Sequence, residues 1–424
     1  MHSPGRFRDQ GSISWHNLQS PQLLATVAEM LSKKKNDREF DIVILGATGY
    51  VGHRLVSELE KLARISGLRL LGTARSPQKI QKLRDTFPLV QIEHLDITVP
   101  QEVDQIVAKT QLVVNCIGPF DLHGENVVSA CARLGTHYLD ITGEIIFARR
   151  MIEKYDSIAK KNNAMIVPFA GFDSVPSDIG VLLIGQEMSE THAQAVISVD
   201  LVFKAQGGLN GGTAATALDT GSKILKKDLT NHNFLIPQKS ELRYDELYRP
   251  RYIAYLRRWV APFFMEPINN KVVYRSLALA HEESKYFSPD FRYRESLQVP
   301  GGLMGATVIA LLLGGSQLFL KTRIGRRIAS LVLPNPGDGP SEKQMTEGFF
   351  EATVIATGTN GKVLARKMRA DGDPGNVSTV KLLIACIRVM MNDEFKPKGG
   401  LLTPATAFGV RLLPALRESG VEWI

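Results

Sequence analysis

The chain has 424 residues, 44% apolar and 22% charged, with a formal net charge of +8. This length holds two or three domains, and the balance is that of a globular protein rather than a disordered or fibrous one. The positive excess favours anionic partners, but the cations form no single stripe and no zinc-finger or aromatic RNA-binding signature accompanies them, which excludes nucleic acid.

Residues 1–38 are polar, rich in turn formers and, by composition, a disordered extension. Within them PQLLATVAEMLSKKK (21–35) has the spacing of a short amphipathic helix. Arg6, Arg8 and several serines resemble a mitochondrial leader, against which Asp9 counts. A basic start followed by an apolar run is missing, so no secretory signal is expected. Cys116, Cys131 and Cys386, an odd and scattered set, predict no disulfide framework and suit a reducing, intracellular compartment.

The first strong element is FDIVILGATGYVG (40–52). Its β-branched apolar start predicts a buried parallel strand, and Val51, Leu55, Leu59 and Leu62 then recur at helical spacing. Gly46, Gly49 and Gly52 therefore lie in a strand-to-helix turn. Gly46 permits the turn, Gly49 lets the backbone approach a pyrophosphate, and Gly52 lets helix and strand pack closely. The helix N-terminus offers its N–H groups to the anion. Together with Thr48, Tyr50 and Val51, these glycines are predicted to hold a dinucleotide. The plainer reading is a tight turn without a ligand.

The second strand ends in LLGTARS (70–76). Where an NAD enzyme carries an acid for the ribose 2′-hydroxyl, this chain has Arg75 and Ser76. A guanidinium and a hydroxyl suit a 2′-phosphate, which predicts NADP(H) over NAD. A third strand, VQIEHLDIT (90–98), ends in Asp96, placed either at the adenine edge or as a cap on the next helix. A fourth, QLVVNCIGPF (111–120), puts Asn115, Cys116, Gly118 and Pro119 beside the nicotinamide ribose. GENVVSACARLGTHYLD (124–140) adds a helix and a fifth strand, and AMIVPFAGFDSVPSDIG (164–180) a sixth. The alternation predicts an α/β fold, a Rossmann-like doubly wound parallel sheet with ligands at the carboxyl ends of its strands.

GATGYVG, TARS, NCIGPF, GENVVSAC, YLDITGE and GFDSVPSDIG occur in this order, with GGLLTPATAFG (399–409) and ESGVEW (418–423) at the far end. This set resembles the saccharopine dehydrogenase-like oxidoreductases. That family includes bacterial trans-acting enoyl reductases and membrane- and lipid-droplet-associated animal proteins. The similarity runs from about residue 40 to the C-terminus. It implies an inserted α+β second domain and C-terminal helices that return to the first. It also implies NADP(H)-dependent reduction of a lipidic or acyl substrate; the family name does not make saccharopine that substrate.

Such a reduction needs a proton donor or an oxyanion partner besides the nucleotide. The Tyr-x-x-x-Lys pair of short-chain reductases is not formed. Tyr155 and Lys160 are five apart, a rotation of about 140° on a helix against about 40° for four, so they share no face. The candidates follow strands five and six: Tyr138 as a proton donor, with Asp140 and Glu144 nearby, and Asp173 and Ser174 to orient a carbonyl or a water. The plainer reading of Asp140, Ser174 and Asp178 is turn and cap chemistry. His123 has no second ligand at useful spacing, and no metal site is predicted.

The character changes after residue 195. AVISVDLVF (195–203) alternates like a half-buried strand. GGLNGGTAATALDTGSK (207–223) reads as a hinge loop opening a helix, or as a loop that holds a substrate anion. Residues 226–258, rich in Arg, Lys and Tyr, predict a long surface excursion. EGFFEATVIATG (347–358) and GKVLARKMRA (361–370) predict a β-hairpin.

VPGGLMGATVIALLLGGSQLFL (299–320) carries no charge. As a helix it would reach about 33 Å, against about 30 Å of hydrocarbon in a bilayer. Its glycine pairs, Pro300 and the basic KTRIGRRIASLVL (321–333) after it predict a segment lying on an anionic membrane surface. A spanning helix and a buried core or dimer helix are the alternatives.

The expected organisation is an extension (1–38), an NADP-binding domain (39–194), an α+β domain for substrate or dimer contacts (195–375) and a C-terminal return (376–424). The expected activity is an NADP(H)-dependent oxidoreductase acting on an acyl or lipid substrate at a membrane or lipid-droplet surface, with a homodimer as a further expected partnership. The alternatives are a nucleotide-binding scaffold or sensor without turnover, and an amino-acid dehydrogenase of the saccharopine type.

Overall fold

A computed structural model describes residues 38–208, 226–237, 239, 249–280, 283–332 and 339–424. Nearly all of the predicted N-terminal extension and most of the glycine-rich stretch 207–223 lie outside the described residues.

Six apolar strands alternate with helices: β1 (Phe40–Leu45), α1 (Tyr50–Ser66), β2 (Leu70–Ala74), α2 (Pro77–Thr86), β3 (Val90–His94), α3 (Pro100–Ala108), β4 (Thr110–Asn115), α4 (Glu125–Leu134), β5 (His137–Asp140), α5 (Ile145–Lys161), β6 (Met165–Val167) and α6 (Val175–His192). The strands are parallel and lie in the order β6-β5-β4-β1-β2-β3. Helices cover both faces, so residues 42–45 of β1 are all buried and read as an unbroken apolar run. The order reverses between β1 and β4. At such a switch point a doubly wound sheet leaves a crevice beyond the carboxyl ends of its strands.

The second sheet is mixed. It contains β7 (Val196–Gln206), β8 (Arg251–Ile253), β9 (Arg258–Pro262), β10 (Phe287–Leu297), β11 (Phe349–Gly358) and β12 (Val363–Asp371), in the order β12-β11-β7-β10-β9-β8. Strands β7 and β10 are parallel, whereas β11 and β12 form the predicted antiparallel hairpin. α6 lies between the two sheets and packs on β7 and β11, and its first two turns are buried on every side. α7 (Glu266–Leu279) packs beside it.

Two helices follow β10, α8 (Gly302–Lys321) and α9 (Arg323–Val332), before the chain reaches β11. The C-terminal stretch then serves both sheets. α10 (Thr379–Met390) packs on α1, β13 (Gly400–Leu401) extends the first sheet beside β6, and β14 (Glu422–Trp423) pairs with β12 of the second. The architecture is therefore α/β, a Rossmann-like sheet into which a second, α+β unit is inserted.

The expected surface excursion is corrected in part. Leu229 and Leu235 are buried, Lys271 Nζ donates to the Leu229 carbonyl at 2.7 Å, and Arg275 Nη1 donates to the Leu235 carbonyl at 2.7 Å. The high average charge of the stretch masked the few apolar residues that seat it on α7. The apolar run behaves differently from a core helix. Among the described residues of α8 only Ala306 and Ala310 are buried, whereas Met304, Leu311 and Leu318 are 77%, 70% and 70% exposed. A helix buried in this chain's own core is thereby excluded.

Candidate active site

The parallel strands carry every predicted nucleotide residue to one edge of the first sheet. In the turn after β1, Gly46 has φ of +79°, and a Cβ there would lie 2.8 Å from Ile117 Cγ1. Gly52 has no room at all: its Cβ would stand 2.1 Å from the Gly46 carbonyl oxygen. Gly49 differs. Its φ is −78°, it is half-buried, and a Cβ would meet only the Gly46 oxygen, at 3.3 Å. The fold itself requires glycine at 46 and 52; the clearance above Gly49 serves whatever lies on the turn. The N-terminus of α1 has no side-chain cap and no acidic residue in its first turn, so it presents its N–H groups and positive dipole end to an anion. Thr48 is exposed at the lip of this turn, and Val51 is buried beneath it.

Tyr50 is held by a distant segment. Its hydroxyl donates to the Pro340 carbonyl, 290 residues away. Gly339 presses on its ring so closely that a Cβ would stand 2.6 Å from Tyr50 Cζ. Beside it Arg54 pairs with Glu342 at 3.1 Å and reaches the buried Met345 sulfur at 3.5 Å. Residues 339–347 thus form a strap over the start of α1. The sequence carried no signal for it, because the contact depends on where the chain goes after α9.

On the adenine side, Arg75 is exposed at the end of β2, and Ser76 caps α2, accepting from the Lys79 N–H at 3.5 Å and donating to Gln78 at 2.7 Å. Asp96 does not cap α3, whose N-cap is Val99 without a side-chain bond; it shapes the turn that leads into that helix. Its Oδ1 accepts the Thr98 N–H at 2.9 Å and the Thr98 hydroxyl at 2.7 Å. Those bonds, with a smaller contribution from Arg75, hold its carboxyl below the usual range.

On the other side of the switch point, Asn115, Tyr138 and Asp140 form a buried chain. Asn115 Nδ2 donates to the Tyr138 hydroxyl at 3.2 Å, and that hydroxyl donates to Asp140 Oδ2 at 2.8 Å. Asp140 Oδ1 accepts the N–H groups of Thr142 and Phe169 at 3.0 and 3.2 Å. Burial pushes the Asp140 carboxyl up to about 7 against the opposing pull of these bonds. Tyr138 is wholly buried, and desolvation with Asp140 beside it drives its hydroxyl far above its ordinary value. The expectation that Tyr138 gives a proton to substrate is corrected: it braces Asn115 and Asp140. Burial also pushes the Cys116 thiol up to about 12, so it stays neutral. Glu144 accepts the Phe120 and Asp121 N–H groups at 2.8 and 2.7 Å, which fixes the loop carrying Gly118 and Pro119.

After β6 the two neighbours in GFDS part company. Ser174 is buried and donates to Asn269 Oδ1 on α7 at 2.8 Å; Asn269 in turn donates to Glu295 Oε2 of β10 at 3.0 Å. Ser174 therefore ties α6 to the second unit and does not face a substrate, which corrects the expectation for it. Asp178 caps the short helix Pro404–Phe408 through the Ala405 N–H at 2.7 Å. Asp173 is half-buried, and no hydrogen bond among the described residues reaches its carboxylate. A Cβ on Gly143 would lie 3.8 Å from Asp173 Oδ2 and 3.4 Å from Met265 Cε. Asp173 thus stands where the loop after β5 meets the start of α7, and burial raises it to about 6. Among the described residues no group of three or more His, Cys, Asp or Glu is placed to hold a metal.

Residues 42–167 match the family described as the saccharopine dehydrogenase NADP binding domain. A Mycobacterium tuberculosis protein named as a trans-acting enoyl reductase is 33% identical over 419 residues, covering 91% of this chain and 97% of that one. This chain belongs to the saccharopine dehydrogenase-like oxidoreductase family. A trans-acting enoyl reductase of Mycobacterium ulcerans is 29% identical over 416 residues, with 91% and 97% covered. The apo saccharopine dehydrogenase (L-Glu forming) of Saccharomyces cerevisiae aligns over 91% of this chain and 99% of that one, with a TM-score of 0.55 at 12% identity, which is a likeness of fold. Membership makes the chain an NADP-dependent oxidoreductase, and its residues fit that nucleotide. Family members need room for a pyrophosphate over the first turn, and the clearance above Gly49 and the uncapped start of α1 supply it. The exposed Arg75 supplies a cation at the ribose end.

Proposed function

We propose that the chain is an NADPH-dependent reductase of acyl or lipidic substrates carrying a conjugated carbon–carbon double bond, working at a membrane or lipid-droplet surface. The chemistry is supported by the relatives named as enoyl reductases. The single observation that carries the surface is the helix pair α8–α9. α8 is, by length and composition, long and apolar enough to cross a membrane. In α9, Ile324, Ile328 and Leu331 share one face and are 73%, 47% and 82% exposed, while Arg323 and Arg327 flank that face and Arg326 lies opposite it. So much bare apolar surface is unfavourable in water, and a lipid layer with anionic headgroups covers it while matching the cations.

Bound NADPH would supply the hydride. Tyr50 and Val51 would hold its pyrophosphate through backbone N–H groups, Gly49 would leave it room, and Arg75 would hold its 2′-phosphate. The remaining work, positioning the acyl chain and delivering a proton, falls to the loops after β5 and β6. The test is NADPH oxidation with long-chain 2-enoyl, 3-ketoacyl and saccharopine substrates, with and without anionic vesicles. Oxidation with the enoyl substrate, increased by vesicles, is expected. Tight NADPH binding with no oxidation by any of them would favour a scaffold or sensor instead.

A further inference from the structure

We infer that Asp173 is the proton donor of this reduction, delivering its carboxyl proton to the substrate carbon next to the acyl carbonyl. The inference rests on the reductase reading above. Its first support is place. Asp173 follows β6, on the β4-β5-β6 side of the switch point, at the carboxyl end of the sheet. That is the half opposite Arg75 and Asp96, hence the half that faces the nicotinamide end of a nucleotide laid across the crevice. Its carboxylate also stands beside Gly143 and Met265, where the first sheet's loops meet α7.

The second support is the contrast with its neighbours. Tyr138, Asp140, Glu144, Ser174 and Asp178 are all held by protein partners. Asp173 accepts nothing among the described residues, although it is half-buried. Its carboxylate is therefore left to water or to a ligand, where the neighbouring carboxylates are committed to the protein. Gly143 leaves the space in front of the carboxylate free of any side chain of its own.

The third support is proton affinity. Burial raises the carboxyl to about 6, so a useful fraction is protonated near neutrality. No neighbouring charge contributes to that rise. The titratable groups on the surrounding elements, Asp140 at the end of β5, Glu144 after it, Asp178 on α6 and Glu266 on α7, are bound to other groups.

The step balances. The β-carbon of the double bond accepts the hydride, and the π electrons move toward the α-carbon and the carbonyl oxygen. The Asp173 O–H bond breaks as the new α-carbon C–H bond forms. The carboxylate left behind regains a proton from water, which reaches it because the residue is half exposed. The acyl chain leaves saturated.

The experiment uses the full chain, a 2-dodecenoyl N-acetylcysteamine thioester, its 3-keto analogue and 13C-labelled aspartate. Asp173→Asn should keep its melting temperature and bind NADPH within about threefold of the unaltered protein. It should lose roughly a hundredfold or more in turnover, together with the alkaline fall-off of rate that starts near the Asp173 pKa. Asp173→Glu should restore part of the rate and the same pH limb, which a merely structural role would not do. The labelled carboxyl absent from Asp173→Asn should titrate above the ordinary aspartate range and shift when NADP+ is added. Should the enoyl probe fail while the 3-keto probe turns over through Asp173, the substrate class and the carbon target are both wrong, and Asp173 is a donor to the keto oxygen instead. Should Asp173→Asn keep its rate and pH profile, the donor is overturned and the reductase reading stands. If nothing turns over, the labelled signal decides: ordinary titration, indifferent to NADP+, overturns the inference.

Discussion

Tyr138 and Asp140 lie two residues apart on β5 and meet through a 2.8 Å hydrogen bond, hydroxyl to carboxyl, with neither side chain exposed. Removing that hydroxyl in Tyr138→Phe leaves Asp140 Oδ2 and Asn115 Nδ2 each short of a partner. Stability should fall by about 1–3 kcal/mol. Turnover should fall by less than about tenfold, because the hydroxyl does not reach substrate. Urea unfolding and steady-state kinetics check this. A thousandfold loss of rate at unchanged stability would return Tyr138 to the chemistry.

The three glycines of the first turn should separate by experiment. Gly52→Ala forces a Cβ to 2.1 Å from the Gly46 oxygen and should prevent folding or lower the melting temperature severely. Gly49→Ala meets the same oxygen at 3.3 Å and should fold with a small loss. Gly49→Val should still fold but lose NADPH binding, read by nucleotide fluorescence titration. Equal NADPH affinity in a folded Gly49→Val protein would mean that the clearance serves no ligand.

This division shows what the sequence makes legible. The turn, its flanking strand and helix and the five strands after it follow local rules of spacing and hydrophobic period, so residues 40–180 can be placed before any coordinates exist. The roles of Asp173 and Ser174 cannot. They are adjacent in GFDS, yet Ser174 is buried against Asn269, 95 residues onward, and Asp173 stays partly exposed with no hydrogen bond among the described residues. Which way each side chain turns is decided by α7, an element belonging to the inserted unit. Tyr138 misleads for a related reason. A tyrosine near a strand end resembles a donor until the neighbouring strand supplies Asn115 above it. The strap over Tyr50 is the extreme case, since its contact spans 290 residues.

Cofactor selectivity should rest on Arg75, exposed at the end of β2. The unaltered protein should bind NADPH about ten- to hundredfold more tightly than NADH, the worth of one charge-assisted contact. Arg75→Asp should erase or reverse that preference without changing the melting temperature. Calorimetric titration with both nucleotides gives the ratio directly, and no change in it would move the selectivity elsewhere.

Binding to vesicles should need anionic lipid and weaken with salt. Lys321, Arg323 and Arg327 are the residues to reverse. Arg326 should be kept, because its Nη1 donates to the Leu320 and Lys321 carbonyls at 2.9 and 3.0 Å and closes the end of α8. Each reversed residue removes about 1 kcal/mol of attraction, so the triple variant should lose about 3 kcal/mol before any repulsion is counted. Flotation with anionic and neutral vesicles measures it. Resistance of the bound protein to alkali and high salt would instead indicate a helix that spans the bilayer.

Stability should fall as pH rises toward 7. Burial lifts Asp140, Asp178 and Glu295 to about 7 and Asp173 to about 6, above their values in the unfolded chain. The folded state therefore holds more protons between about pH 4 and pH 7, and the stabilisation present below that window is lost across it. Each surplus proton corresponds to about 1.4 kcal/mol per pH unit. His232, lowered to about 4, opposes with one proton, and Lys271, lowered to about 7, reverses the trend only above the window. Urea midpoints at pH 5, 6 and 7 should decline in that order, and Glu295→Gln should flatten the slope. A rising series would contradict the burial of these carboxyls.

The strap changes how the molecule can be dissected. Between β10 and β11 the chain runs out through the exposed helix pair and comes back as residues 339–347, laying Gly339 and Pro340 on Tyr50 and Glu342 on Arg54 before it enters β11. Excising that whole loop to obtain a more tractable protein would strip one wall from the start of α1 and unseat Met345 as well. The product could lose its nucleotide for reasons unrelated to lipid, and a deletion scan would then merge two separate contributions into one phenotype. A cut that ends before residue 339 keeps them apart.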